Sequence, residues 1–297
     1  MSEVEFYIAR IEFDQQLTLF AGYNSENTEQ DLFYEEMMAF TDRNTRVYPP
    51  EDDDEEEEPE NEWFFGDVRG NNIINKSNSS NRCIVGKFGK SYRNDPEIYD
   101  REEADFVESE ESTKESDYSM FIIDPVEEII IFNQVYRVRN KNFKDNFERA
   151  YEAFRSEDDG SITLKFIDNN KSLTEILSEY TVTESELTVH PYADDAEDRV
   201  EIENLMNELG AREFTITPKS DLGLNTDSEF LRDSAELVEE TGSDYEIVYK
   251  TESDLKAVKK SGKDNAILRD DRPNSVGWYV SHGSELIEYA LSIDDEI

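Results

Sequence analysis

At 297 residues the chain is long enough for two ordinary domains or one large one. Its 36% hydrophobic and 11% aromatic content excludes wholesale disorder, while 73 acidic against 30 basic residues leave a formal net charge of -43. The acids are spread and not gathered into a tail, since residues 201–250 carry 13 acids to 4 bases and residues 1–50 carry 10 to 3.

In chain order, Val4–Phe13 alternates apolar and polar residues and, with Leu17–Phe20, reads as an opening β-hairpin. Leu32, Phe33, Met37 and Phe40 lie at helical spacing in Thr28–Phe40, with Thr28 as N-cap. Residues 49–62 form an acidic loop bracketed by prolines. Trp63–Val68 and Cys83–Phe88 read as strands joined by a polar loop over Gly70–Asn81. After a second acidic stretch, Asp100–Asp117, the apolar runs Tyr118–Ile123 and Glu128–Asn133 make the strongest hairpin signal. A helix follows over Lys141–Phe154, with Phe143, Phe147, Ala150, Tyr151 and Phe154 on one face.

The turn composition of Ser156–Gly160 marks a domain boundary. Beyond it the reading is a strand at Ile162–Ile167, a helix at Leu173–Tyr180 and a strand at Thr181–His190. A helix over Ala193–Leu209 comes next, closed by Gly210, then a strand at Glu213–Thr217. Asp227–Thr241 is a helix before Gly242 and Tyr245–Lys250 a strand, with short strands at Ala266–Arg269 and Val276–Ser281. The expected class is α+β in two domains. Residues 1–157 form a mostly β-sheet domain with helices; residues 158–297 form a compact sandwich of alternating β and α elements.

Adaptation to molar salt accounts for the charge best, because a Debye length of about 3 Å at 1 M screens self-repulsion. Overall acidity then says nothing about partners. Cys83 is the single cysteine, so a disulfide-free, reducing cytoplasm is expected. No signal peptide or membrane span is read, and no membrane partner is expected. Neither His190 nor His282 sits in a triad pattern, so no catalytic residue is assigned, and no cofactor or metal is expected. Asp244 with Asp254-Leu-Lys256 matches a metal-dependent nuclease core loosely, although Ser253-Asp254 reads as a helix start and not as a strand.

The informative pattern is where acids are missing. Asn71–Arg93 holds Lys76, Arg82, Lys87, Lys90 and Arg93 without one acid; Asn133–Lys144 holds Arg137, Arg139, Lys141 and Lys144, again with none. Lys250–Lys263 sets five lysines against Glu252 and Asp254. The first island contains Gly86-Lys87-Phe88-Gly89, a G-x-x-G with Tyr92 nearby, a composition suited to phosphate backbones and unpaired bases. The alternative is that these bases pair with the acidic loop, or that the loop is a hairpin tip.

The segment Glu186–Leu224 (ELTVHPYADDAEDRVEIENLMNELGAREFTITPKSDLGL) resembles part of an uncharacterised prokaryotic family, a domain of unknown function found among phage-defence genes. The matching pieces are His190-Pro191, Asp194–Leu209, Glu213–Thr217 and Gly223-Leu224-Asn225, with Met120–Phe132 similar to the family's central strand pair. The resemblance spans residues 60–250, the acidic insert Glu51–Glu60 departs from it, and it implies a context without any catalytic residue. The leading expectation is a non-enzymatic binding protein that contacts nucleic acid or a partner protein through Lys87, Phe88, Lys90, Arg93, Arg137 and Arg139. The alternatives are a metal-dependent nuclease-like toxin effector and an acidic decoy that mimics DNA.

Overall fold

The computed structural model describes residues 3–14, 29–41, 46–47, 61–74, 80–94, 97–100, 105–108, 113–155, 160–189, 206, 208–212, 214–251, 254–261, 263–271 and 275–293. The second arm of the opening hairpin, residues 49–60 of the acidic loop, His190-Pro191 and most of the helix expected over residues 193–209 lie outside these residues, whereas Asn61 and Glu62, expected in that loop, are strand. Mixed helices and antiparallel strands make the fold α+β. The chain divides into two compact units: Ala9–Lys165 with Pro273–Ser284, and Met1–Ile8 with Phe166–Arg272 and Glu285–Ile297.

The first unit takes the end of β1 (Glu3–Phe13), then α1 (Glu29–Phe40), β2 (Arg46–Val47), β3 (Asn61–Ile74) and β4 (Ser80–Asn94). The small pair β5 (Glu97–Asp100) and β6 (Asp105–Glu108) precedes β7 (Thr113–Asp124), β8 (Ile129–Asn133) and α2 (Asn140–Arg155). Its sheet runs β1-β8-β7-β4-β3-β2. The polar loop expected over Gly70–Asn81 is instead mostly strand: β3 and β4 pair from Asn61↔Tyr92 to Ile74↔Ser80. Backbone pairing tolerates polar side chains on an exposed face, so hydrophobic alternation ends before the ladder does.

The core of this unit is aromatic. Phe143 and Phe147 of α2 are fully buried, as the spacing predicts. Phe143 stacks on Phe132 at 3.8 Å, and Phe147 meets Phe40 of α1 at 5.1 Å and Phe65 of β3 at 5.7 Å. One tie between helices is polar: the Tyr151 hydroxyl and Arg155 Nε donate to Glu36 Oε1 at 2.8 and 2.7 Å. β9 (Ile162–Phe166) pairs with β1. Side chains of α2 cap β9: Leu164 N–H donates to Glu148 Oε1 at 2.6 Å, and Lys144 Nζ donates to the Leu164 carbonyl at 2.5 Å. Those groups close backbone that would otherwise template another strand.

The second unit holds α3 (Leu173–Glu179), β10 (Thr181–Val189), β11 (Phe214–Ile216), α4 (Glu229–Thr241), β12 (Tyr245–Lys250), β13 (Lys256–Lys260) and β14 (Lys263–Asp271). Its antiparallel sheet runs β11-β10-β12-β13-β14-β1. A capping box at Ser172 and Glu175 starts α3. Gly242, left-handed at φ 64°, ends α4 in the position its sequence predicts. Gly223 (φ 102°) lets the segment before α4 lie along β10, where Leu224 N–H donates to the Val182 carbonyl at 2.7 Å.

Two further expectations are corrected. Val276–Ser281 is the start of α5 (Val276–Ile293), not a strand. The alternation of Val276, Trp278 and Val280 misleads, whereas the buried Tyr279, Leu286, Ala290 and Ile293 recur at helical spacing. Of the expected helix start at Ser253-Asp254 only Asp254 is described, and it sits in a turn at φ 63° before strand β13 (Lys256–Lys260).

Candidate nucleic-acid interface

Strand parity decides which basic residues can act together. In a strand, neighbouring side chains point to opposite faces. The β4–β7 register pairs Lys87 with Met120, Phe88 with Ser119, Gly89 with Tyr118 and Lys90 with Asp117. Lys87 therefore shares a face with Tyr118, and its Nζ lies 4.8 Å from that ring's centroid and 3.9 Å from Asp67 Oδ2. Lys90 and Tyr92 lie on the opposite face, with Phe88. The expected cluster is thus split by the sheet.

Phe88 is a core residue and not a stacking platform. It is fully buried, with ring centroids of Phe65, Trp63, Phe143 and Phe147 at 4.6, 5.2, 5.4 and 5.6 Å. The G-x-x-G is likewise no phosphate-cradling loop, because it lies mid-strand with its backbone in the ladder. A Cβ on Gly86 would strike Val68 and Phe121, and one on Gly89 would strike the β7 backbone at Asp117 and Tyr118. Close packing demands both glycines. The backbone of Arg93 pairs opposite Lys114 at the far end of β4.

The second island is different. Val135 and Val138 exchange backbone hydrogen bonds of 3.2 Å, which makes a tight turn with Tyr136 and Arg137 at its tip. Val138 is fully buried and anchors the turn. Arg137 folds back to place its guanidinium 4.2 Å over the Tyr92 ring, with Nε 3.9 Å from Asp117 Oδ2. The Tyr92 hydroxyl donates to Glu115 Oε2 and Asp117 Oδ2, each at 3.0 Å. Desolvation, those bonds and the Asp117 charge push the Tyr92 phenol up to about 12, so it stays neutral under Arg137. Lys90 Nζ stands 5.9 Å from the same ring.

Tyr136 points outward, 84% exposed, and Arg139 and Lys141 are exposed beside it. Asn140, between them, is fixed by its N–H donating to Gln134 Oε1 and its Oδ1 accepting from Lys141 N–H. Lys144 is not part of this surface, since it is committed to Glu148 and the Leu164 carbonyl. The sequence reading misses Tyr136, although Tyr-Arg-Val-Arg-Asn-Lys inside an acid-free run carries the signal.

The lysines of the third island are largely consumed. Lys250 pairs with Asp254 at 2.9 Å and Lys260 with Glu246 at 2.7 Å. Lys259 Nζ donates to the carbonyls of Asn169, at 3.1 Å, and Lys171. The loose nuclease pattern also fails on geometry. Asp244 and Asp254 flank opposite ends of β12, roughly 20 Å apart at strand rise, too far for a shared ion. Asp244 accepts from the Ser261 hydroxyl at 3.0 Å. Among the described residues no group of His, Cys, Asp and Glu is placed to hold a metal ion. Cys83 is buried, which raises its thiol pKa, and the Asp124 charge raises it further, so it is a packed thiol and not an activated nucleophile. His282 stacks on Trp278 at 4.4 Å within α5.

Among the described residues no helix is long and apolar enough to cross a membrane. A comparison with curated proteins finds no match. The family model described as "Domain of unknown function (DUF4747)" matches residues 35–286, and the chain belongs to that family.

Proposed function

We propose that the protein is a non-enzymatic nucleic-acid-binding protein whose contact surface is the turn and helix start over residues 134–141. The observation that carries this reading is the outward Tyr136 flanked by Arg137, Arg139 and Lys141, in a segment without an acid on a chain of net charge -43. A guanidinium held against a ring pays little conformational entropy on meeting a phosphate, and exposed bases beside it add charge-assisted contacts. The test is retention of labelled single- and double-stranded oligonucleotides in about 1 M KCl, where non-specific ionic contacts are weak. Wild type is expected to retain an oligonucleotide, and Arg139→Ala and Arg137→Ala to lose it while keeping the wild-type melting midpoint. Retention of nothing by wild type would reject the reading.

The setting we propose is the cytoplasm of a cell with molar internal salt, in a defence or mobile-element context. The net charge and the resemblance over residues 60–250 support it. Circular dichroism against KCl tests the salt adaptation, which a native spectrum in salt-free buffer would contradict.

A further inference from the structure

We propose that the turn at Tyr136 reads unpaired bases, so that the ligand class is single-stranded nucleic acid and Tyr136 is the stacking platform. This inference rests on the nucleic-acid reading above.

The other tyrosines of the first unit whose side chains are described are each held by a neighbour. The Tyr34 ring lies under the Arg82 guanidinium at 3.9 Å, Tyr92 under Arg137 and Tyr118 under Lys87. The Tyr151 hydroxyl donates to Glu36, and that of Tyr279 to the Met120 carbonyl. Tyr136 is engaged by none of the described residues and is 84% exposed, at the tip of a turn whose neighbour Val138 is buried. A fixed backbone therefore presents a free ring. Arg137, the nearest cation at the tip, is turned away onto Tyr92, so the Tyr136 face is not occupied by its own neighbour.

An aromatic face of this kind suits a nucleobase, because every base offers a π-face and stacking needs no particular sequence. In a duplex those faces are covered by adjacent pairs, and a protruding ring meets them only at the ends. Arg139 and Lys141 follow Tyr136 within five residues, which places cations for the phosphates beside the stacked base. In molar salt this division of labour matters more than charge. Counterion release weakens as salt rises, whereas stacking does not depend on it.

Fluorescence anisotropy in about 1 M KCl tests the inference. The probes are a labelled mixed-sequence single strand, about 12 nucleotides long, and the blunt duplex of the same sequence, a length within the usual single-strand site sizes. Wild type is expected to prefer the single strand. Tyr136→Ala should weaken single-strand binding about tenfold, with Tyr136→Phe close to wild type, since the ring and not the hydroxyl stacks. Duplex binding should not respond to either substitution. If the duplex binds as tightly as the single strand, or if Tyr136→Ala changes nothing while Arg139→Ala abolishes binding, the stacking inference is overturned and the broader reading stands. If wild type binds neither probe, both are overturned.

Discussion

Two of the basic segments, residues 134–144 and 250–261, look alike in their density of cations and end differently. In the second, cations are absorbed by the fold: Lys250 by Asp254, Lys260 by Glu246 and Glu5, and Lys259 by two backbone carbonyls. In the first, Lys144 is absorbed and Arg137 lies against Tyr92 and Asp117, while Arg139, Lys141 and the Tyr136 ring face outward. A base retained in an acidic chain is thus evidence of local demand, but the demand is as often a carboxylate or a helix-side carbonyl as a ligand. Geometry separates the two cases.

The largest effect that separates packing from contact is expected at Phe88. Its ring fills the space between β3, β4 and α2, so Phe88→Ala should cost about 3–5 kcal/mol, read by denaturant unfolding. Nucleic-acid retention should fall only in proportion to unfolding. A selective loss of retention at full stability would return Phe88 to the contact surface. Next is Lys259→Met, which strips the donor from two carbonyls and should cost about 1–3 kcal/mol with retention intact. A variant as stable as wild type would show that the third island is not structurally consumed.

The smallest effect concerns pH. The folded pKa of Tyr92, about 12, lies above its ordinary value of 10.0, so its contribution to stability is whole below pH 10.0 and lost as pH rises toward about 12. An absorbance titration should lose one late phenolate step in Tyr92→Phe. Asp117→Asn should bring the Tyr92 step earlier, because it removes a negative charge that favours the protonated phenol. An unchanged titration would mean that the Tyr92–Asp117 contact does not hold the Tyr92 ring under Arg137.

Much of the fold was legible because burial leaves a periodic trace. Ile129, Ile130 and Ile131 are β-branched and fully buried, and they announce β8; Phe143, Phe147, Ala150 and Tyr151 announce α2. β13 was illegible because three of its five residues are lysines whose charges are met by other elements, information a local window lacks. The candidate site was half legible. Arg137 and Arg139 stood out against the acidic background, but Lys87 and Phe88 belong elsewhere. Their assignment required the strand register, since residues one or three apart on β4 face opposite ways. The G-x-x-G was misread for the same reason: what crowds Gly86 and Gly89 comes from β3 and β7, which no spacing within β4 reveals.

The most direct test of the claim that residues 134–141 are the interface is photocrosslinking, in about 1 M KCl, of a single strand carrying 4-thiothymidine. Mapping the attached peptide by mass spectrometry should place the crosslink on Tyr136 or its immediate neighbours, and Tyr136→Ala should abolish it. Crosslinks confined to the Lys250–Lys263 segment, or to the β4 face that carries Lys87, would contradict the account.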